Sequence, residues 1–320
     1  MTQASATKPW GMSYADWKQA LKRAWAEGSA DNIGIVAAGV AFYAFLALVP
    51  LLGACVLIYG LVADPATVEQ HVGSLAQALP QSAAELIGEQ LHNVVQDSAG
   101  KKGLGLLIAL AVALFGARNG AGSVVTAMNI AYDEEETRGF VKLNLLALVI
   151  TLGAILGAIV AVGATTVLAA VGQLVPDLSG AGVVLSRIAS FVLILLLGMA
   201  AAAAFYRYGP DRDEPRWEWI TAGSLFAALA WVILTALFGY YASNFGNYNA
   251  TYGSLGAVVV LLTWFYLSAY VLLLGAEINA ELERQTRADT TVGEPEPIGQ
   301  RGANAADTKP EDTDADRKRQ

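Results

Sequence analysis

Long runs without a single charged residue constrain this chain more than any other feature. Gly103 to Ala117, Leu145 to Val175 and Ile220 to Ala242 contain no Asp, Glu, Lys or Arg. A helix rises about 1.5 Å per residue and the hydrocarbon core of a bilayer is about 30 Å thick, so about 20 apolar residues cross it. Six segments meet that length, near 33–62, 103–126, 144–175, 187–206, 220–243 and 255–277. Lipid offers the backbone no hydrogen bonds, which leaves helices as the spanning form for runs like these. The expected fold is therefore all-α, a polytopic transmembrane helical bundle with six spans. Composition agrees: 55% of residues are hydrophobic and 15% charged, against about 45–50% and about 25% in soluble domains. The first and third spans exceed the required length and should tilt or project. Pro50 should kink the first.

Basic residues in the flanks set the orientation, because short cytoplasmic loops are enriched in Lys and Arg. One side holds Lys8, Lys18, Lys22, Arg23, Arg138, Lys142, Arg207, Arg212, Arg216, Arg284 and Arg287; the other holds Lys101, Lys102 and Arg187. Eleven against three places both termini in the cytoplasm. Residues 1–30 are polar and show no cleavable signal peptide, so the first span is expected to direct insertion. The expected organisation is a cytoplasmic N-terminal segment at 1–30, a membrane domain at 31–285, and a disordered cytoplasmic tail at 286–320. The tail loses hydrophobic periodicity and opens with Gly293-Glu294-Pro295-Glu296-Pro297.

Within the membrane domain, the outer connection 64–102 carries helical periodicity. Val68, Val72, Leu75 and Leu79 form one apolar face; Leu86, Ile87, Leu91, Val94 and Val95 form another beyond Pro80. Two short amphipathic helices are expected there, either capping the bundle or serving as a lid or docking element.

Some chemistries find no support. The net charge of −8 offers no basic groove for nucleic acid. His71 and His92, both in the outer connection, make a weak metal signal without cysteine partners. Cys55 lies inside the first apolar run, and as the only cysteine it cannot form an intrachain disulfide. The acidic run Asp133 to Glu136 reads as a solvated turn. With no nucleophile elbow, phosphate-binding loop or paired-cysteine motif, neither catalysis nor a cofactor is expected.

Ionisable groups at membrane depth are expensive and usually face a partner or water. Arg118 lies about fifteen residues into the second span, roughly 22 Å from its outer boundary. Its side chain either snorkels to the cytoplasmic surface or joins an internal polar site. Asp31 opens the first span and Glu277 closes the sixth at the same face. Either they act as a helix cap and a solvated flank, or Asp31, Arg118, Asn129, Glu277 and Asn279 form one polar cluster at the inner mouth. At the outer boundary Tyr240, Asn244, Asn247, Tyr248 and Tyr252 read as an aromatic belt or as a headgroup or sugar site. Gly153 and Gly157, followed at the same interval by Ala161 and Thr165, form a small-residue stripe suited to close helix packing, as do Gly116 and Gly120.

Four blocks carry a family resemblance. They are Ala41-Phe42-Tyr43-Ala44-Phe45-Leu46-Ala47-Leu48-Val49-Pro50-Leu51-Leu52, Met128-Asn129-Ile130-Ala131-Tyr132, Tyr248 to Gly256, and Trp264 to Ser268 with Leu274-Gly275-Ala276-Glu277-Ile278-Asn279. Over roughly residues 17 to 285 the chain resembles the YihY/BrkB family of bacterial inner-membrane proteins. It departs at Ala47, where that family often has serine. The family was once catalogued as a ribonuclease, and other members are associated with serum resistance or lipopolysaccharide export. The resemblance thus implies an envelope role in the inner membrane, with lipids as partners and a lipid or anionic amphipathic molecule as candidate substrate. A transporter or lipid-handling protein that is not driven by ATP is the leading expectation. A non-transporting envelope scaffold is its rival.

Overall fold

In the computed structural model of the protein, residues 6–60, 104–174, 180–245 and 255–311 are described. A 3-10 turn at Pro9–Gly11 leads into α1 (Tyr14–Ala30), α2 (Ile33–Gly60), α3 (Leu104–Ala131), α4 (Phe140–Leu174), α5 (Gly180–Tyr208), α6 (Trp217–Phe245), α7 (Leu255–Arg284) and the short α8 (Asn304–Asp307). The fold is all-α. Among the described residues, four stretches are long and apolar enough to cross a membrane: Phe140–Gly157, Ile188–Tyr208, Trp217–Tyr241 and Val258–Arg284. The bent pair Tyr14–Ala30 and Ile33–Leu48 makes a fifth if taken as one span. The helices expected in 64–102 lie outside the described residues, as do His71 and His92.

Several hydroxyls within the apolar helices are satisfied internally. Thr151 donates to the Ala147 carbonyl at 2.7 Å, Ser224 to Ile220 at 2.6 Å and Thr263 to Val259 at 2.7 Å. Such back-bonding removes the cost of a bare hydroxyl in an apolar medium. Helix α7 is the hub, packing against α1, α2, α3 and α6. On the periphery, Leu145, Val149, Leu156 and Val160 of α4 and Ile188, Phe191 and Leu196 of α5 are exposed. Apolar surface of this extent fits lipid rather than water.

The small-residue faces divide. A Cβ on Gly120 would lie 2.9 Å from that of Ala47, and one on Gly116 would lie 3.0 Å from the Pro50 ring, so α2 and α3 approach closely along this edge. Pro50 lies inside α2. A Cβ on Gly153 or Gly157 would meet nothing within 4 Å among the described residues, so these two glycines, both exposed, face outward.

Two segments depart from the sequence expectations. Residues 14–30, expected only as a polar lead-in, form helix α1, started by a capping box in which the Ser13 hydroxyl accepts from the Asp16 amide and Asp16 accepts from the Ser13 amide. This helix buries Ala20, Arg23, Ala24 and Glu27 and exposes Tyr14, Leu21 and Trp25. A 65° bend separates it from α2, with Asn32 in the left-handed region (φ +53°) that asparagine tolerates.

The tail departs as well. Residues 286–311, expected to be disordered, pack on the end of the bundle. Arg301 is buried and donates to the carbonyls of Arg287, Ala288, Glu296 and Ala306 at 2.9–3.2 Å. Backbone bonds from Arg216 to Thr290, from Val292 to Glu214 and from Asp213 to Gly302 pin the segment to the α5–α6 loop. Gly302 adopts a φ of +65° where a side chain would meet Asp213. Polar anchoring orders this segment without apolar periodicity.

Candidate functional site at the charged end of the bundle

The last three turns of α7 hold Glu277, Asn279, Glu281, Glu283 and Arg284, all at most 1% exposed. Buried charges persist when each finds a partner, and these draw partners from four other segments. Arg23 of α1 donates to Glu281 at 2.5 Å and to Gln285 at 2.7 Å. Arg284 joins Glu281 at 2.7 Å to Asp133, in the turn after α3, at 2.5 Å. Arg212, from the α5–α6 loop, grips Glu283 with two nitrogens at 2.7 and 3.2 Å, and Thr290 of the tail adds a third bond at 2.7 Å. Geometry of this kind is the strong bidentate form. One layer of ion pairs thus locks α1, two loops and the tail onto α7.

Of the five residues expected to cluster, the structure joins Asp31 to Glu277 and places Asn279 and Asn129 at the same end of the bundle, each with partners of its own. Asn279 accepts from the Gly223 amide at 2.7 Å and donates toward the Tyr132 hydroxyl and the Ile220 carbonyl at 3.4 Å, joining α6 to α7. Asn129 donates to Glu136 and accepts from the Asp211 amide, both at 2.8 Å, tying the end of α3 to two loops. Asp31 and Glu277 hydrogen-bond through their side chains. Glu277 Oε1 is buried with no hydrogen-bond partner among the described residues.

Arg118 is not brought to them. It precedes Asn129 by eleven residues, about 16 Å along α3. Its guanidinium lies 4.7 Å from the Phe115 ring centre, and Nε has no hydrogen-bond partner among the described residues. The cation finds an aromatic face in place of an acid.

Asp31 and Glu134, outside the spans, hold their protons more tightly than usual. Burial is the main cause that pushes the Asp31 carboxyl up to about 6, and the charges of Asp133 and Glu27 add to it. Burial also pushes Glu134 up to about 7, opposed by a hydrogen bond from the Asn304 amide at 2.8 Å and by Arg212. Asp133, Glu135 and Glu136 are exposed, as expected of a solvated turn, while Asp133 also pairs with Arg284 and Glu134 accepts from the Asn304 amide. Among the described residues, no group of three or more His, Cys, Asp or Glu is arranged to hold a metal ion.

Sequence reasoning misses Arg23, Arg212, Glu281 and Glu283 as members of this layer. A usable signal exists in the helical spacing from Glu277 to Glu281 and Arg284, which places all three on one face.

Next to this layer lies an apolar cavity of about 350 Å³ between α2, α3, α5, α6 and α7, lined by Val40, Val124, Ala202, Phe205, Ala228 and Trp231 among others. Ser268, another lining residue, accepts from Trp231 Nε1 at 3.1 Å. Leu272, also on the wall, precedes Glu277 by five residues, about 7.5 Å along α7.

At the opposite boundary Tyr240 is exposed on α6. The side chain of Asn244, together with Asn247, Tyr248 and Tyr252, lies outside the described residues.

Apolar helices with lipid-type exteriors around a buried ionic layer define a helical integral membrane protein. Residues 24–298 match the family described as Virulence factor BrkB, and the chain belongs to that family. It is similar to YfkH of Bacillus subtilis, named as ribonuclease-like, at 31% identity over 78% of this chain and 90% of that protein. It is also similar to UPF0761 membrane proteins of Photobacterium profundum, at 28% identity over 83% and 81% of the two chains, and of Idiomarina loihiensis, at 28% over 80% and 87%. This is a multi-pass membrane protein of that kind. No solved structure matches it.

Proposed function

We propose that this chain is a transporter or lipid-handling protein of the bacterial inner membrane, not driven by ATP, whose substrate is a lipid or another anionic amphipathic molecule. The observation that carries this reading is the apolar cavity lying about 7.5 Å along α7 from a buried polar layer. An acyl chain matches the first and a headgroup the second. Arg118 adds a cation without an ion pair among the described residues, about 9 Å along α3 from Val124 on the cavity wall.

The reading includes six spans and cytoplasmic termini. Helices α2 and α3 each have 28 residues, about 42 Å of helix, and supply the two spans beyond α4 to α7. Helix α1 then lies at the inner surface with Tyr14, Trp25, Lys18 and Lys22 outward, a face suited to anionic headgroups. Catalysis has no part in this proposal.

Full-length protein reconstituted into vesicles tests it. Labelled phospholipid or lipopolysaccharide precursor should cross the bilayer faster than in empty vesicles. Movement of neither would overturn the reading, and loss of cellular function only on deleting residues 66–97 would favour the envelope scaffold instead.

A further inference from the structure

We propose that Asp31 and Glu277 share a single proton and form the protein's proton-binding site, at the corner where α1 turns into α2. The proposal deepens the transport reading by naming a coupling ion, but it stands on separate observations. Glu277 is 1% exposed, and its Oε1 has no hydrogen-bond partner among the described residues. Its carboxyl does bond Asp31, another carboxyl. Two carboxylates carry acceptors only, so a hydrogen bond between them needs one proton held in common.

The surroundings hold it there. Facing the pair are Glu27 from α1, Asp133 from the turn after α3, and Glu281 and Arg284 from α7 itself. Arg284 bonds Glu281 and Asp133, and Arg23 bonds Glu281 and Gln285, so both guanidiniums already serve other partners. Around this corner the acids Glu27, Asp31, Asp133, Glu277 and Glu281 outnumber the cations Arg23 and Arg284. Like charges crowded in this way favour keeping one carboxyl neutral.

Access and consequence also follow from position. Asp31 is half-buried and gives the shared proton a route to water, whereas Glu277 is sealed. Once the proton passes to water, two carboxylates face each other across α1 and α7. Gly28 already packs close, since a Cβ there would lie 3.7 Å from Glu277 Cγ. The 65° corner with left-handed Asn32 is the nearest joint that can yield. Proton release therefore loosens α1 from α7 beside the cavity.

Infrared titration of the full-length protein in lipid vesicles tests this, using a Glu134→Gln background because Glu134 is also a buried acid with a raised affinity. A protonated-carboxyl band should be present at about pH 5 and vanish with a midpoint above the ordinary carboxylate range. Asp31→Asn removes the like charge, so the remaining acid should bind its proton at least tenfold more weakly; Glu277→Gln should do the same. The double variant should lack the band. An unchanged midpoint in Asp31→Asn, a conservative change at a half-exposed position, would overturn the proposal, as would a band that survives in the double variant. No substrate is needed, so vesicles that transport nothing yet titrate as stated would count against the transport reading alone. Transport without the titration would count against the proton site alone.

Discussion

The two halves of α7 solve opposite solvation problems within one helix. From Val258 to Leu274 its side chains meet the cavity, neighbouring helices and the membrane, and hydrophobic residues dominate. From Glu277 to Arg284 it is sealed by protein and carries four ionisable side chains and an asparagine. In a soluble domain the charged half would be the exposed one. Here lipid permits the apolar half to be open, while charges are retained where loops, tail and α1 supply counter-ions. The bundle's specificity of assembly therefore rests on its charged end, and its lipid-facing surface is permissive.

Removing one partner from the charged end should break this contrast most severely. Arg212→Ala leaves Glu283 buried with only Thr290 as a side-chain partner among the described residues, which costs about 3–5 kcal/mol. Thermal unfolding in detergent should show it as a large loss of the folded fraction. A double substitution of Arg212 and Glu283 by apolar residues of similar size should recover much of that loss.

Arg301→Ala tests the tail's share. Several carbonyls lose a buried, charge-assisted donor, worth about 1–3 kcal/mol. The effect should be local, appearing as faster protease cleavage within 286–311 before the bundle unfolds.

pH gives a smaller, graded effect. Asp31 and Glu134 bind protons more tightly in the folded chain, at about 6 and about 7, than their ordinary values of 3.8 and 4.5. Their contribution is fully present below those ordinary values and is lost as pH rises through 6 and 7. Stability should thus increase on acidifying from about pH 7 to about pH 5. Asp31→Asn together with Glu134→Gln should flatten the dependence in unfolding experiments over that window.

The smallest effect belongs to the lipid face. Leu156→Ala on α4 removes an exposed side chain and should change stability by no more than about 0.5 kcal/mol. A loss as large as that of Arg212→Ala would mean that this face is covered by protein.

Legibility in the sequence follows the same division. Charge-free runs announce helices because lipid demands internal hydrogen bonding, and Gly116 and Gly120 mark the close α2–α3 approach because small residues are needed there. Glu277 and Asn279 are visible because polar residues at the end of an apolar run stand out. Arg118 does not belong with them, since depth in the bilayer says nothing of which neighbour a side chain meets. Gly153 and Gly157 show the same limit, as their spacing fits a contact that the fold turns outward. The folded tail leaves no sign in the sequence. Its order comes from one arginine collecting carbonyls, a pattern with no periodicity to detect. Helix α1 does leave a trace in Ser13 and Asp16, three apart as a capping box requires.

Whether the cavity beside the charged layer accommodates an amphipathic substrate is most directly measured as transbilayer movement of a labelled anionic phospholipid. Vesicles would contain equal amounts of wild-type protein, Ala202→Phe or Ala228→Leu. Movement is expected with the wild type, with a loss of at least about tenfold when either buried cavity wall is filled. Equal rates in all three, or no movement beyond that of empty vesicles, would contradict a substrate in that cavity.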